Sequence, residues 1–167
     1  LKYFKLDESV DEPKFATIDS ACFDVCAYFA KDNTIIAGQE PPLVVVYNMN
    51  NKKEERECKF WPKEKNDMCV GIDIYPGERV LIPTGLIFNI PFGYSVRLHT
   101  RSSISLKRGL IMSNSEGIID SDYYHQTYVM LYNASADEVR VWQGERIAQG
   151  ELVKTLDYNI KETEIMP

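Results

Sequence analysis

Short apolar runs separated by turn residues are the feature that most limits what this chain can fold into. Leu43 to Tyr47 is typical of them, and pairs such as Pro76-Gly77 and Gln143-Gly144 stand between one run and the next. No long segment keeps the 3.6-residue apolar spacing of an amphipathic helix. We therefore expect an all-β fold, a barrel or jelly-roll sandwich. The predicted strands are Leu43 to Tyr47, Val70 to Ile74, Arg79 to Ile90, Tyr94 to Leu98, Thr127 to Tyr132, Glu138 to Trp142 and Ile147 to Val153.

One short helix is expected among these strands. Ser102-Ser103 can cap a turn that runs through Ile104 to Arg108, and Gly109 supplies a stop. The charged run from Lys52 to Glu57 predicts a solvated hairpin tip or loop, with a partner surface as the weaker alternative.

The charge balance argues against a protein that grips duplex nucleic acid. The 167 residues carry 19 Lys and Arg against 25 Asp and Glu, a net charge of -6. No Asp or Glu occurs from Arg79 to Ser115, although the same stretch contains Arg79, Arg97, Arg101, Lys107 and Arg108. A basic stretch in an acidic chain indicates a compact anionic ligand, unless the gap in the acids is due to chance.

Length and cysteine content favour a single domain over 1–167 in a reducing compartment. A chain of this length can bury a core unaided. Its cysteines and two histidines lack the spacing of a zinc site, so we expect reduced and mostly buried thiols at Cys22, Cys26, Cys58 and Cys69. No secretory signal is recognisable, and no apolar run approaches the ~18 residues of a membrane span. The expected location is cytoplasmic, in the host cytoplasm if the source is viral.

Two segments carry side chains suited to a phosphorylated ligand. Thr100 to Ser103 places a guanidinium and two hydroxyls at a helix start, where free backbone N–H groups also favour phosphate. Its alternative is an ordinary cap with a surface arginine. Gly117 to Tyr123 predicts a buried strand that delivers two acids and an aromatic face for a sugar or base. Its alternative is an Asp-Ser-Asp turn. Asn114 stands just upstream, where its amide could recognise a base edge.

Together with others in the same order, these segments resemble the trimeric dUTPase family. The resemblance rests on Ser20-Ala21 with Asp24, Pro83-Thr84-Gly85, Arg101-Ser102-Ser103, Gly117-Ile118-Ile119-Asp120-Ser121-Asp122-Tyr123 and Gly144-Glu145-Arg146-Ile147-Ala148-Gln149. It extends from Ala16 to Val153 and is interrupted by additional residues at about 32–69. The resemblance implies a β-jelly-roll with one short helix, assembled as a homotrimer with sites at subunit interfaces. It also implies hydrolysis of dUTP to dUMP and pyrophosphate with Mg²⁺, which keeps uracil out of DNA and supplies dUMP for dTMP synthesis.

The same likeness implies roles for particular residues on the phosphate side. Arg101, Ser102, Ser103 and Gln149 would contact the phosphates. Asp24 would anchor the Mg²⁺-triphosphate through water, which suits an ion that keeps several waters and leans on substrate phosphates. The acid-free stretch would then be the basic wall of the pocket.

On the nucleoside side, the likeness implies that Asp120 orients and deprotonates the attacking water and holds the sugar 3′-hydroxyl. Tyr123 would pack under the deoxyribose. Asn114 would read uracil together with neighbouring hairpin backbone at Gly117 and Ile119, and a wrong pyrimidine would leave buried partners unpaired.

The chain departs from the family pattern at several places. Cys22 and His125 stand where the family usually has Gly, and Thr100 where it has Pro. We expect His125 to be an exposed strand residue. The sequence ends without the family's Gly-rich, Arg-containing C-terminal arm, so either the protein lacks the arm or the sequence is cut short; without the arm, we expect substrate to bind but to turn over much more slowly. The additional residues at about 32–69 predict a lengthened hairpin on the outer surface, held down by Phe60-Trp61-Pro62. A surface for a protein partner is the alternative that the sequence leaves open.

Two other functions fit the sequence less well. One is a catalytically weak, dUTP-binding regulatory trimer that acts on a protein partner. The other is the related dCTP deaminase, which needs an acid in the strand after the Asp120 motif. That strand, Thr127 to Tyr132, contains none.

Overall fold

The computed structural model describes residues 1–31, 40–64, 67–163 and 166. The described chain is almost entirely β, with one seven-residue helix. Its elements are β1 (Lys2–Lys5), β2 (Lys14–Phe15), β3 (Phe23–Cys26), β4 (Leu43–Tyr47), β5 (Lys53–Glu57), β6 (Lys59–Glu64), β7 (Asp67–Ile74), β8 (Arg79–Pro83), β9 (Leu86–Asn89), β10 (Tyr94–Thr100), α1 (Ser102–Arg108), β11 (Leu110–Met112), β12 (Gly117–Ile119), β13 (Tyr128–Asn133), β14 (Val139–Trp142) and β15 (Arg146–Lys154).

The strands form antiparallel sheets that enclose one apolar core. The first five-stranded sheet has the order β12-β10-β15-β3-β2, and the second has the order β11-β13-β8-β4-β5. Two smaller sheets, β14-β7-β6 and β1-β9, complete the jelly-roll. Alternate strand residues such as Val25, Ile82 and Leu131 are fully buried between the sheets. The all-β prediction with one short helix is therefore confirmed.

Most predicted strands are present, with one division. The segment Arg79 to Ile90 is two strands, because Pro83-Thr84-Gly85 turns the chain between β8 and β9. Gly85 has a φ of +68°, a left-handed conformation that favours glycine. Strands β1, β2, β3, β5, β6 and β11 were not predicted, since they are short or carry many polar side chains.

The helix ends where predicted but begins two residues earlier, at Ser102, and has a different N-terminal cap. Gly109 ends α1 at φ +65°, as expected, and its N–H bonds to the Ser105 carbonyl. The N-cap residue is Arg101, and no side chain forms a capping hydrogen bond. Serine capping was therefore wrong: Ser102 and Ser103 are exposed residues of the first turn.

The additional residues at about 32–69 add strands to two sheets within their described part. The charged run forms β5, an exposed edge strand paired with β4, so the tip or loop prediction was wrong for Lys53–Glu57. Trp61 packs edge-on against Trp142 with ring centroids 5.4 Å apart, and Phe60 packs against the core. Phe60 and Trp61 thus hold β6 onto the domain as predicted. Residues 32–39 and 65–66 lie outside the described residues.

The four cysteines are free thiols. Cys58 and Cys69 are buried, whereas Cys22 and Cys26 are partly exposed. Burial raises the pKa of Cys58 to about 12 and that of Cys26 to about 11. The reduced state was predicted correctly, and burial was predicted correctly for two of the four.

Candidate functional site

A polar cleft of about 270 Å³ lies where β3, β15 and the start of α1 meet. Residues from three distant parts of the sequence line it: Ala16, Ser20, Ala21, Cys22, Asp24, Arg101, Ser102, Ser103 and Gln149. Five of the nine are residues that the sequence assigned to phosphate or metal, namely Asp24, Arg101, Ser102, Ser103 and Gln149. The tertiary structure thus gathers the predicted phosphate-side residues in one place.

Asp24 lies between two guanidinium groups in this cleft. Arg101 Nε is 2.8 Å from Asp24 Oδ1, and Arg146 Nη1 is 3.1 Å from Oδ2. The Asp24 side chain is only 14% exposed, so these pairs compensate for the loss of hydration. Arg101 Nη1 also donates to the Arg146 carbonyl at 3.3 Å. The two arginines and the carboxylate therefore form one charged cluster, and sequence reasoning missed the contribution of Arg146.

Strand register brings Gln149 to this cluster. On β15, Gln149 pairs with Asp24 of β3 on one side and with His99 of β10 on the other. Its Nε2 donates to the Thr100 carbonyl at 3.2 Å, at the residue before Arg101. The next residue, Gly150, must lack a side chain, because a Cβ there would lie 2.6 Å from a Phe23 ring carbon.

The second group of predicted residues lies on residues 110–119, which we call the Asn114 hairpin; a tight turn joins β11 to β12, but β11 pairs with β13 and β12 with β10, in different sheets. Asn114 is exposed in the turn, and Ser115 beside it has a φ of +61°. Gly117 is buried, and a Cβ there would be 3.1 Å from Met112 Cε and 3.2 Å from Leu98 Cβ. Strand β12 was predicted and is confirmed, with Ile119 buried at its end. The Asn114 amide is therefore exposed to solvent, while Gly117 at the end of the turn is closely packed.

Asp120 and Tyr123 follow in the loop after β12. The Asp120 side chain is exposed, and its carbonyl accepts from the Tyr123 N–H at 3.2 Å. Tyr123 is 39% exposed and its hydroxyl donates to the Gln126 carbonyl at 3.1 Å. His125 is exposed as expected, but in a bend instead of a strand, with its ring edge-on to Tyr123 at 5.5 Å.

The turn at Pro83-Thr84-Gly85 holds this loop in place. The Thr84 hydroxyl donates to the Thr127 carbonyl at 2.7 Å, and the Gly85 N–H donates to Gln126 Oε1 at 3.0 Å. Gln126 Nε2 in turn donates to the Tyr128 hydroxyl at 2.8 Å. Gln126 therefore fixes the loop that carries Asp120 and Tyr123, a role that no local sequence pattern signalled.

Within one chain, the structure does not bring the two groups of predicted residues together. Among the described residues that line the cleft, none comes from 114–123. The acid-free stretch is likewise not one basic wall, and that prediction was wrong. Arg101 lines the cleft, whereas three others pair elsewhere: Arg79 with Asn51, Arg97 with Glu116 and Arg108 with Glu145.

The described residues contain no group of three or more His, Cys, Asp or Glu side chains that could hold a metal ion by themselves. Asp24 is the carboxylate in the cleft, and each of its oxygens receives one guanidinium. A carboxylate offers about four lone-pair positions, so both oxygens retain one for a water. Within the described part of the chain, no helix is long and apolar enough to cross a membrane.

Sequence comparison finds that this chain is similar to dUTPases. The family model described as dUTPase matches residues 67–165. The chain is 42% identical over 91 residues to the deoxyuridine 5'-triphosphate nucleotidohydrolase of Brucella abortus (strain 2308), covering 54% of this chain and 58% of that one. It is 49% identical over 78 residues to the enzyme of the same name from Aquifex aeolicus (strain VF5), covering 47% and 52%.

Solved dUTPase structures have a similar fold over nearly the whole length of this chain. The dUTPase from Streptococcus mutans superimposes with a TM-score of 0.65 at 23% identity, covering 94% of this chain and 98% of that one. The dUTPase from phage phi11 of S. aureus, described as having a species-specific insert, gives a TM-score of 0.65 at 16% identity, covering 99% and 96%. At these identities the likeness establishes the fold.

The chain belongs to the dUTPase family, because the family model matches more than half of its length. The match contains Arg101 to Ser103, the Asp120 motif and Gln149, whereas Asp24 precedes it. The chain spans little more than half of the length of these two curated relatives.

Proposed function

We propose that this protein hydrolyses dUTP to dUMP and pyrophosphate. The observation that carries the proposal is the cleft in which Asp24, Arg101, Ser102, Ser103 and Gln149 converge. Membership of the dUTPase family and the dUTP hydrolase names of the curated relatives support the choice of substrate. The chain would act as a single domain over 1–167, with an insertion at about 32–69.

The cleft would hold the triphosphate. Arg101 offers a planar guanidinium whose N–H groups suit phosphate oxygens, and it stands at the N-cap of α1. Ser102 and Ser103 have exposed hydroxyls in the first helical turn. Gln149 Nε2 can exchange its backbone acceptor for a phosphate oxygen with little movement, because the register of β15 already points it at the cleft.

The hairpin and the loop after it would hold the nucleoside. Asn114 would pair with the uracil edge, and the backbone at Gly117 and Ile119 would complete the recognition. Tyr123 would lie under the deoxyribose and leave no space for a 2′-hydroxyl, because its own hydroxyl is held by Gln126. A cytosine edge would place a donor against the Asn114 donor, so the enzyme would discriminate against dCTP.

Asp120 would act as the general base. Its exposed carboxylate takes a proton from a water as that water's oxygen bonds to the α-phosphorus. The bond from the α-phosphorus to the bridging oxygen breaks, and pyrophosphate leaves with the electron pair. Arg101 stabilises the charge that accumulates on the phosphoryl oxygens.

A magnesium ion would bind mainly through the substrate. Asp24 would hold it through water, which fits a site with one carboxylate and no other acidic ligand among its lining residues. When bound, the ion supplies neutralisation of triphosphate charge and fixes the chain of phosphates for in-line attack. A phage phi11 dUTPase structure is described as coordinating a structural Mg(II) ion.

The separation of cleft and hairpin within one chain favours a site shared between subunits. The phosphate side of one chain would face the Asp120 loop of another, as in a homotrimer. No direct contact with nucleic acid or membrane is part of this proposal. A protein partner would bind at the insertion; phage dUTPases of similar fold are described as controlling the transfer of virulence genes.

Pyrophosphate release tests the proposal, measured with Mg²⁺ on dUTP, dCTP and dTTP. We expect release from dUTP alone, and a loss of at least about a hundredfold in kcat for Asp120→Asn, which removes the base. Asp137→Asn is the matched control, since it neutralises an exposed carboxylate outside the cleft. Binding of dUTP without release would contradict the proposal and favour the regulatory trimer. Release from dCTP at an equal rate would contradict the recognition of uracil.

A further inference from the structure

We infer that Thr100 is a positioning residue that fixes the Asn114 hairpin. Thr100 is the last residue of β10 and directly precedes Arg101. Strand β10 pairs with β12 of the hairpin on one edge and with β15, which carries Gln149, on the other. The residue therefore stands between the phosphate cleft and the Asn114 hairpin of the same chain, which the proposed function assigns to two different sites of the homotrimer.

The hydroxyl and the carbonyl of Thr100 each accept a hydrogen bond. Its hydroxyl oxygen accepts the Met112 N–H at 2.9 Å. Its carbonyl accepts Gln149 Nε2 at 3.2 Å. One residue thus contacts the hairpin through its side chain and the cleft through its backbone.

The bond to Met112 controls where the hairpin turn begins. Met112 is the last residue of β11 and is 3% exposed. The next residue, Ser113, donates its N–H to the Met130 carbonyl at 2.9 Å. Asn114 follows at once. Because the Met112 N–H lies in a buried setting, losing its acceptor leaves an unsatisfied donor and favours a shifted turn.

A second contact from β10 supports the other side of the same turn. Arg97 Nη1 lies 2.8 Å from Glu116 Oε2, and the Glu116 N–H donates to the Asn114 carbonyl at 2.7 Å. The turn is therefore held from β10 at Met112 and again at Glu116, with Asn114 between the two attachments. Glu116 is 41% exposed, so this ion pair is the weaker attachment.

This inference rests on the proposed function only where it concerns recognition of the pyrimidine, since the hairpin attachment is a property of the fold.

Thr100→Val and Thr100→Ser test the inference as a matched pair in the full chain. Valine keeps the shape and removes the acceptor, whereas serine keeps the hydroxyl. We expect Thr100→Val to lower the ratio of kcat/KM for dUTP over dCTP by about tenfold. Thr100→Ser should stay within about twofold of the parent. Arg97→Met should lower the same ratio by less.

Amide hydrogen exchange of the 110–117 segment gives a second measurement that does not depend on turnover. Thr100→Val should accelerate exchange at Met112, and Thr100→Ser should not. Equal exchange in the two variants, or a lower Tm for Thr100→Val with an unchanged substrate ratio, would overturn the positioning role. If the parent protein fails to hydrolyse dUTP, the proposed function fails, and the exchange comparison still decides whether Thr100 fixes the hairpin.

Discussion

Replacing Arg56 with Met should destabilise the protein strongly, because Arg56 attaches the insertion strand β5 to the rest of the domain. Its Nη1 and Nη2 each lie 2.7 Å from one oxygen of Glu78, and Nη1 also donates to the Asp73 carbonyl at 2.9 Å. The guanidinium carbon lies 5.0 Å from the Tyr75 ring centroid. The Arg56 and Glu78 side chains are 19% and 7% exposed.

The expected magnitude follows from what the substitution leaves behind. Removing one partner of a buried pair costs about 3–5 kcal/mol, because the other charge stays buried and unpaired. Glu78 Oε2 still accepts the Tyr75 N–H at 2.9 Å, which keeps the cost near the lower limit, about 3 kcal/mol. For a chain of this size that corresponds to a fall in Tm of about 6–12 °C. The pKa of Arg56 is raised by its bonds to Glu78, in agreement with a strong pair.

Urea and thermal unfolding at one fixed protein concentration measure the effect. Glu54→Gln is the control, since Glu54 also pairs with Arg56 but is 42% exposed, and it should change the free energy of unfolding by less than about 1 kcal/mol. The double variant Arg56→Met with Glu78→Gln should recover at least about 1 kcal/mol relative to Arg56→Met alone. An Arg56→Met protein as stable as the parent, or one no less stable than Glu54→Gln, would refute the reasoning.

Three further results are expected. Arg101→Lys should lower kcat/KM for dUTP by about a hundredfold, because the lysine ammonium cannot pair with Asp24 and also form the two parallel hydrogen bonds that a guanidinium gives to phosphate. An unchanged kcat/KM in the pyrophosphate assay would contradict the phosphate role. Hydrogen bonds from Ser9 lower the pKa of Asp7 to about 2. The stabilisation that ionised Asp7 gives to the folded protein is therefore present above the unfolded pKa near 4 and is lost as the pH falls through 2. An NMR titration of Asp7 with a midpoint near 4 in the folded protein would disprove this. Alkylation at pH 8 should leave Cys58 unmodified in the folded protein, because burial raises its pKa to about 12, and rapid labelling there would contradict that burial.

Local patterns were enough to predict most of the strands and the helix. Leu43–Tyr47 has the bounds that its apolar run predicts, and α1 ends at Gly109 because a left-handed φ follows the last helical turn. These features depend on neighbours in sequence. Pro83-Thr84-Gly85 is recognisable in the sequence as a set of turn residues, although Arg79 to Ile90 was given as one strand; contacts of this turn with Thr127 and Gln126, which are remote in sequence, divide the segment in two.

The composition of the cleft depended on the tertiary structure. The sequence suggested Asp24, Arg101 and Gln149 only as separate motifs, and a resemblance joined them. Arg146 could not be recognised as a partner of Asp24, because 122 positions separate the two residues. They meet because β15 pairs with β3 with a shift in register between Arg146 and Ala148, which buries Ile147 and Ala148 in succession and leaves Gln149 at the cleft. Register is decided by packing across the whole sheet, because it fixes which face each side chain occupies. The sequence alone therefore determined most of the strands, the helix and the family, and the pairing of β15 with β3 decided which charged groups share the cleft.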